Sequence, residues 1–359
     1  VLSVAYLEWA REFMGRARYD LASSGIRTPR FEESFGEIDF NDFSAIAKMP
    51  GAIAAFHDLP ENNVAAALGT SHAIWLAYAS LLSPGDDVLV ERPGYEPLHR
   101  VPESLGARVS LFDRAAPPSY AIDVSAVLDA CTPKTRVVTI TNLHNPTGVR
   151  TPDSTLRDLA DALSKRGCTL LISEVYAPFD RLAENGVWKH SAKRLHPNIV
   201  TVSSLTKCFG LGIHRLGWVL AEPEIADRAR KLITLNVGLL PAAHASMTLA
   251  ALSRIDSLSA RARVDLPEKR ALVNAWMAAR RDVVWSNPAE GLFGFAHLPG
   301  AKEVQRYVEE ALKEDELLVG PGVFFSAPEA VRVAWSLPKD DLSEALVRLG
   351  RLFDRIPRG

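Results

Sequence analysis

The sequence predicts an α/β fold: a mostly parallel sheet between helices, with a smaller α+β domain beside it. Three observations predict it. Short, nearly continuous apolar runs alternate with longer helical patterns through the first two thirds of the chain, as strands buried on both faces require. That alternation stops near Ala242, where a long Ala- and Arg-rich stretch begins. At 359 residues the chain is also too long for one small core. The expected division is a large domain over residues 45–243 and a small one built from residues 1–44 and 244–359.

The elements follow in order. Residues 1–20 carry Trp9, Arg11, Glu12, Arg16 and Arg18, the pattern of an amphipathic helix rather than of a signal peptide. A helix is expected over 71–82, then strands at 87–92, 108–112 and 137–141. A helix over 151–165 leads to strands at 169–172, 199–203 and 218–221. Beyond the change in pattern, a helical stretch over 244–281 precedes strand signals at 292–297, 317–319 and 330–335. Helices at 301–313 and 342–353 complete the smaller unit, an order that suits an α+β layer.

Bulk properties exclude several classes. Hydrophobic content of 47%, charged content of 23% and a net charge of −2 give no reason to expect nucleic acid or an anionic membrane as partner. Cys131, Cys168 and Cys208 lack metal-ligand spacing, so reduced thiols in a cytoplasmic enzyme are expected. No apolar run has the length needed to span a bilayer.

The chemistry concentrates where strands end, which is where open α/β sheets place their ligands. Lys207 lies in a polar, Gly-rich turn directly after the apolar run Ile199-Val200-Thr201-Val202, with Ser204 before it and Arg215 after it. An amine, a hydroxyl and a permanent cation suit a phosphorylated aldehyde cofactor: the amine forms a Schiff base and the others hold the phosphate. Gly69-Thr70-Ser71 opens a helix and aims free N–H groups and two hydroxyls at an anion, though the same residues suit a plain N-cap. His144-Asn145-Pro146-Thr147-Gly148 is turn chemistry behind a strand. Arg332 is a charge inside an apolar strand, which calls for an anion partner or an edge facing water.

Taken in this order, these motifs resemble those of class I/II aminotransferases of the pyridoxal 5′-phosphate-dependent fold-type I superfamily, from about Leu21 to the C-terminus. The resemblance implies that Lys207 is the Schiff-base lysine and moves a proton between the substrate Cα and the cofactor. It implies that Thr70, Ser71, Ser204 and Arg215 hold the phosphate, that Tyr95 stacks on the pyridine ring, and that Asn145 and Tyr176 donate to the cofactor's phenolic oxygen. Arg332 and Gly25 are matched to the substrate side, Arg332 to the α-carboxylate. A homodimer acting on an amino acid and a 2-oxo acid is implied as well.

Two departures stand out. The family's Asp-x-x-Tyr reads Ser173-Glu174-Val175-Tyr176 here, so a serine replaces the aspartate that keeps the pyridine nitrogen protonated. Strand alternation points Glu174 away from the ring unless a bulge re-aims it, and Asp180 is a more remote substitute. The family tyrosine expected before a helix-opening glycine, here Gly51, is missing from Ser44-Ala45-Ile46-Ala47-Lys48-Met49-Pro50-Gly51. The expected activity is transamination. Ser173 motivates an alternative, a β- or γ-lyase or another amino-acid reaction on the same cofactor. A third reading, a regulator's effector-binding domain, lacks a basic helical module before residue 21, provided Val1 lies near the true start.

Overall fold

A computed structural model of the protein describes residues 2–179 and 191–359. The chain opens with α1 (Ala5–Phe13), β1 (Tyr19–Asp20), α2 (Phe31–Phe35) and α3 (Ser44–His57). Next come β2 (Val64–Leu68), α4 (Gly69–Leu81), β3 (Asp87–Arg92), α5 (Pro97–Ser104), β4 (Arg108–Asp113) and α6 (Val124–Ala130). The layer continues through β5 (Thr135–Thr141), α7 (Asp153–Ser164), β6 (Thr169–Ser173), β7 (Ile199–Ser204), β8 (Leu216–Leu220) and α8 (Pro223–Asn236). The last third holds α9 (Ala242–Ser253), α10 (Ile255–Ala278), β9 (Val284–Trp285), β10 (Phe293–His297) and α11 (Val304–Asp315). It ends with β11 (Leu317–Leu318), β12 (Gly320–Pro321), β13 (Ala330–Ala334) and α12 (Lys339–Arg355).

Seven strands form the main sheet in the order β2-β8-β7-β6-β5-β3-β4, and only β8 runs against its neighbours. The strands β5, β6 and β7 are almost wholly buried, as their Val- and Ile-rich sequences require of a sheet covered on both faces. Register sets Thr141 of β5 beside Ser173 of β6, and Ser173 beside Val202 of β7, so three carboxyl ends open together. A four-stranded antiparallel sheet, β12-β13-β10-β9, carries the C-terminal part. There Arg332 lies in β13, between β12 and β10, which removes the edge-strand alternative. The N-terminal β1 pairs with β11, so the start of the chain packs with its end.

Several elements differ from expectation. β2 reads Val-Ala-Ala-Ala-Leu and carries little strand signal of its own; its place comes from pairing with β8. The single helical stretch expected over 244–281 is two helices, α9 and α10, that meet at Arg254. Gly51 does not open a helix but lies inside α3, as does Pro50. The expected strand at 108–112 is a sheet edge with mostly exposed residues rather than a doubly buried strand. Asp180, the more remote substitute for the missing aspartate, lies outside the described residues.

Candidate active site

A cavity of about 410 Å³ opens at the carboxyl ends of β5, β6 and β7. Its lining includes Thr70, Ser71, Tyr95, Asn145, Ser173 and Tyr176, with Arg215 set against the start of α4 at one end and Gly25 packed against Lys207. Ser204 and Arg332 do not line it. Ser204 sits one layer behind Thr70, and Arg332 lies behind Asn145 and Tyr6.

The end holding Arg215 is built for an anion. The Thr70 hydroxyl donates to Ser204 Oγ at 2.7 Å, and Ser204 donates to Thr206 Oγ1 at 2.8 Å, so a relay of hydroxyls lies against the first turn of α4. Leu68 gives that helix no side-chain cap, so its first amides remain as donors. Gly69 has φ +73°, and a Cβ there would lie 2.5 Å from Arg215 Nη2, so glycine is what lets the guanidinium reach the helix start. Helix amides, two hydroxyls and a guanidinium match the charge and oxygens of a phosphate.

Lys207 is half-buried in the loop after β7. Burial, with Arg332 and Arg215 nearby, holds its amine below the usual lysine range. Nζ donates to Ser24 Oγ at 3.4 Å, and that hydroxyl shares a 2.7 Å hydrogen bond with Tyr176 OH. The Ile26 N–H donates to the Lys207 carbonyl at 3.0 Å, strapping the Gly25 segment to the lysine loop. The buried Tyr176 phenol is pushed above its usual range by desolvation and packs edge-on to Phe293.

Arg332 is fully buried, and its hydrogen-bond acceptors are neutral: Asn145 Oδ1 at 2.8 Å, Tyr6 OH at 2.9 Å and the Ala22 carbonyl at 2.9 Å. Its Nε has no acceptor among the described residues. A buried guanidinium with neutral neighbours and an orphan N–H lacks the anion that such a charge requires.

Asn145 is held from both sides. Its N–H donates to Thr141 Oγ1 at 2.9 Å and its Oδ1 is taken by Arg332, which leaves its amide nitrogen as the donor for the cavity. Thr141 in turn donates both N–H and hydroxyl to Glu91 Oε1 at 2.6 Å, and Glu91 forms a fully buried ion pair with Arg114 at 2.7 Å. His144 bridges the Pro93 carbonyl and Thr147 Oγ1, and burial with Arg114 nearby keeps it neutral, well below the usual histidine range.

Ser173 opens to the cavity, whereas Glu174 does not. Glu174 accepts from Ser191 Oγ and the Ala192 N–H, both at 2.6 Å, and burial raises its pKa to about 7. Strand alternation therefore holds, and Glu174 does not take the place of the missing aspartate. No aspartate or glutamate is present among the described residues lining the cavity.

Sequence reasoning did not reach Tyr6, Ser24, Glu91 or Glu96. Tyr6 had a signal, the helical repeat of Tyr6, Trp9 and Phe13. Glu96 lies next to Tyr95 and accepts from the Ala5 and Tyr6 N–H groups, so it caps α1 from 90 residues away. No local pattern shows such a contact.

An α/β sheet whose strand ends gather a desolvated lysine, an anion cradle and a buried arginine suits an enzyme that uses a phosphorylated aldehyde cofactor. The chain belongs to the class I and II aminotransferase family, whose model matches residues 37–349, and its cofactor is pyridoxal 5′-phosphate. It is 24% identical over 371 aligned positions to capreomycidine synthase of Streptomyces vinaceus, covering 98% of this chain and 94% of that protein. It is 28% identical to histidinol-phosphate aminotransferase of Dinoroseobacter shibae, over 63% of this chain and 62% of that protein. Its fold matches a solved PLP-dependent aminotransferase from Streptococcus suis with a TM-score of 0.87 at 23% identity, covering 100% of this chain and 99% of that one.

Proposed function

We propose that the protein transfers the amino group of an amino acid to a 2-oxo acid, with Lys207 as the residue that bonds the cofactor and moves the substrate proton. The observation that carries this reading is the desolvated Lys207 amine in one cavity with the anion cradle of Thr70, Ser71 and Arg215. Pyridoxal phosphate, when bound, supplies an aldehyde that condenses with amines and a ring that draws electrons from the substrate Cα.

The chain's own residues do the rest. Arg215, Thr70, Ser71 and the first amides of α4 hold the phosphate, with Ser204 fixing the Thr70 hydroxyl. The Asn145 amide and the Tyr176 hydroxyl donate to the phenolic oxygen, and Tyr95 covers a ring face. Arg332 receives the substrate α-carboxylate; Tyr6 and Asn145 hold the guanidinium in place. An amine kept below the usual lysine range spends a larger fraction of time neutral, the state in which Lys207 accepts the Cα proton. Residues 45–243 form the cofactor unit, and residues 1–44 with 244–359 the substrate-carboxylate side. The exposed apolar residues Phe43, Leu235 and Leu239 support a homodimer, and three free cysteines support a reducing, cytoplasmic setting. Among the described residues no helix is long and apolar enough to cross a membrane.

The test is Lys207→Ala. The variant is expected to lose the visible absorbance of lysine-bound cofactor and all turnover with an amino-acid panel. Retained amino transfer would remove Lys207 from this role.

A second reading, elimination or another amino-acid reaction on the same cofactor, is favoured by Ser173 standing where a carboxylate is expected, and by the whole-chain similarity to capreomycidine synthase. Cofactor recovered in its amine form after mixing with an amino acid supports transfer. Ammonia released without an amino acceptor supports elimination.

A further inference from the structure

We infer that the face of α1 turned to the cavity is the side-chain wall of the substrate site, and that it selects amino acids with uncharged, apolar side chains. The inference rests on the amino-acid-binding part of the reading above and adds the class of side chain. Leu7, Ala10 and Met14 line the cavity at helical spacing, and Ile26 and Ile213 face the same space. All but Ala10 are large apolar groups, and none adds a donor or a charge. Leu7, Ala10 and Met14 are half-buried: one side of each packs against the core and the rest remains open. The apolar surface that each leaves open to the cavity can meet a ligand.

The wall is fixed rather than loose. Glu96 accepts from the Ala5 N–H at 3.2 Å and the Tyr6 N–H at 2.7 Å, which anchors the start of α1 beside Tyr95. The Tyr6 hydroxyl accepts from Arg332 Nη2 at 2.9 Å, which ties the same turn to the carboxylate-binding arginine. A substrate held at Arg332 with its amine at Lys207 thus has α1 as the neighbouring surface.

Charge matching points the same way. The cations at the cavity are Lys207 and Arg215, with Arg332 directly behind it. The cofactor and the substrate α-carboxylate engage all three. Among the described lining residues an acidic side chain would then find no further cation, and a basic one finds no carboxylate. A charge carried into such a site without a partner is strongly disfavoured, whereas a methylene group in an apolar pocket improves selection by roughly 10- to 200-fold.

The experiment uses the cofactor-loaded enzyme and carboxylates that cannot react: 4-methylpentanoate, glutarate and 5-aminopentanoate, with dissociation constants from calorimetry. The apolar acid is expected to bind at least about tenfold tighter than either charged one. Leu7→Asp should remove that preference, with folding verified by thermal melting. Ala10→Trp, which keeps the wall apolar but fills it, should weaken 4-methylpentanoate while sparing acetate. The inference is overturned if a charged ligand binds as tightly as 4-methylpentanoate, if none of the three binds measurably, or if both variants weaken every ligand by the same factor. Apolar preference without any amino transfer would sink the transfer reading alone and leave the wall's selectivity standing.

Discussion

Arg332 and Ser173 carry the two strongest signals at the scale of single residues, and they differ in kind. Arg332 is a buried charge that lacks an anion, so its position already states a ligand requirement. Ser173 is a hydroxyl at a place where family resemblance expects a carboxylate. If it faces the pyridine nitrogen, an aspartate there would pair with a protonated ring, an attraction of several kcal/mol at about 3 Å and an effective dielectric near 20. Ser173→Asp is therefore expected to lower the melting temperature of the cofactor-free protein, because a carboxylate is buried without a partner. The same variant should show a larger rise in melting temperature on adding cofactor than wild type shows. Equal rises would mean that position 173 does not face the ring nitrogen. Lys207, Arg215 and Asn145 were legible because each follows a strand in a polar turn, and the cavity does gather them. Ser24 and Thr141 were not, since an isolated hydroxyl carries no signal until folding sets it 2.7 Å from Tyr176 or 2.6 Å from Glu91.

Elements explain why the site has its N-terminal wall. α1 is a short helix of nine residues, too short to persist alone, so its order depends on what it docks against. The Glu96 carboxylate satisfies two of its orphan N–H groups and places a negative charge at its positive end. Glu96→Ala should cost about 1–2 kcal/mol in the stability of this docking. Hydrogen exchange at residues 5–10 should speed up, and KM for the amino acid should rise more than kcat falls. Unchanged exchange there would show that α1 is held by its apolar contacts alone. The helix was visible in the sequence as an amphipathic pattern, but its cap was not, because Glu96 is 90 residues from Tyr6. Similarly, the parallel strands were legible from their Val and Ile content. The Ala-rich β2 was missed because its strand state comes from pairing with β8 and not from its own residues. The junction at Arg254 was missed because the helical residues on its two sides read as one pattern.

For the whole molecule, the placement of Glu174 links stability to pH. Its carboxylate ties the end of β6 to Ser191 and Ala192, with Thr201 also hydrogen-bonded to it and Asp153 adding a repulsive charge. Burial outweighs those hydrogen bonds and raises its pKa from 4.5 to about 7. The folded state then binds more protons than the unfolded state between these values. Stability from this group is accordingly complete below pH 4.5 and is lost as pH rises through about 7, a difference of about 3 kcal/mol. Glu174→Gln keeps an acceptor for the Ala192 N–H and a donor for Ser191 or Thr201, but it has nothing to ionise. The melting temperature of the variant minus that of wild type should therefore become more positive from pH 5 to pH 8, with the steepest change between about pH 5 and 6.5 and little further change above about pH 7.5. A difference that stays flat across this range would show that Glu174 is already ionised at pH 5, and that the hydrogen bonds from Ser191 and Ala192 outweigh its burial.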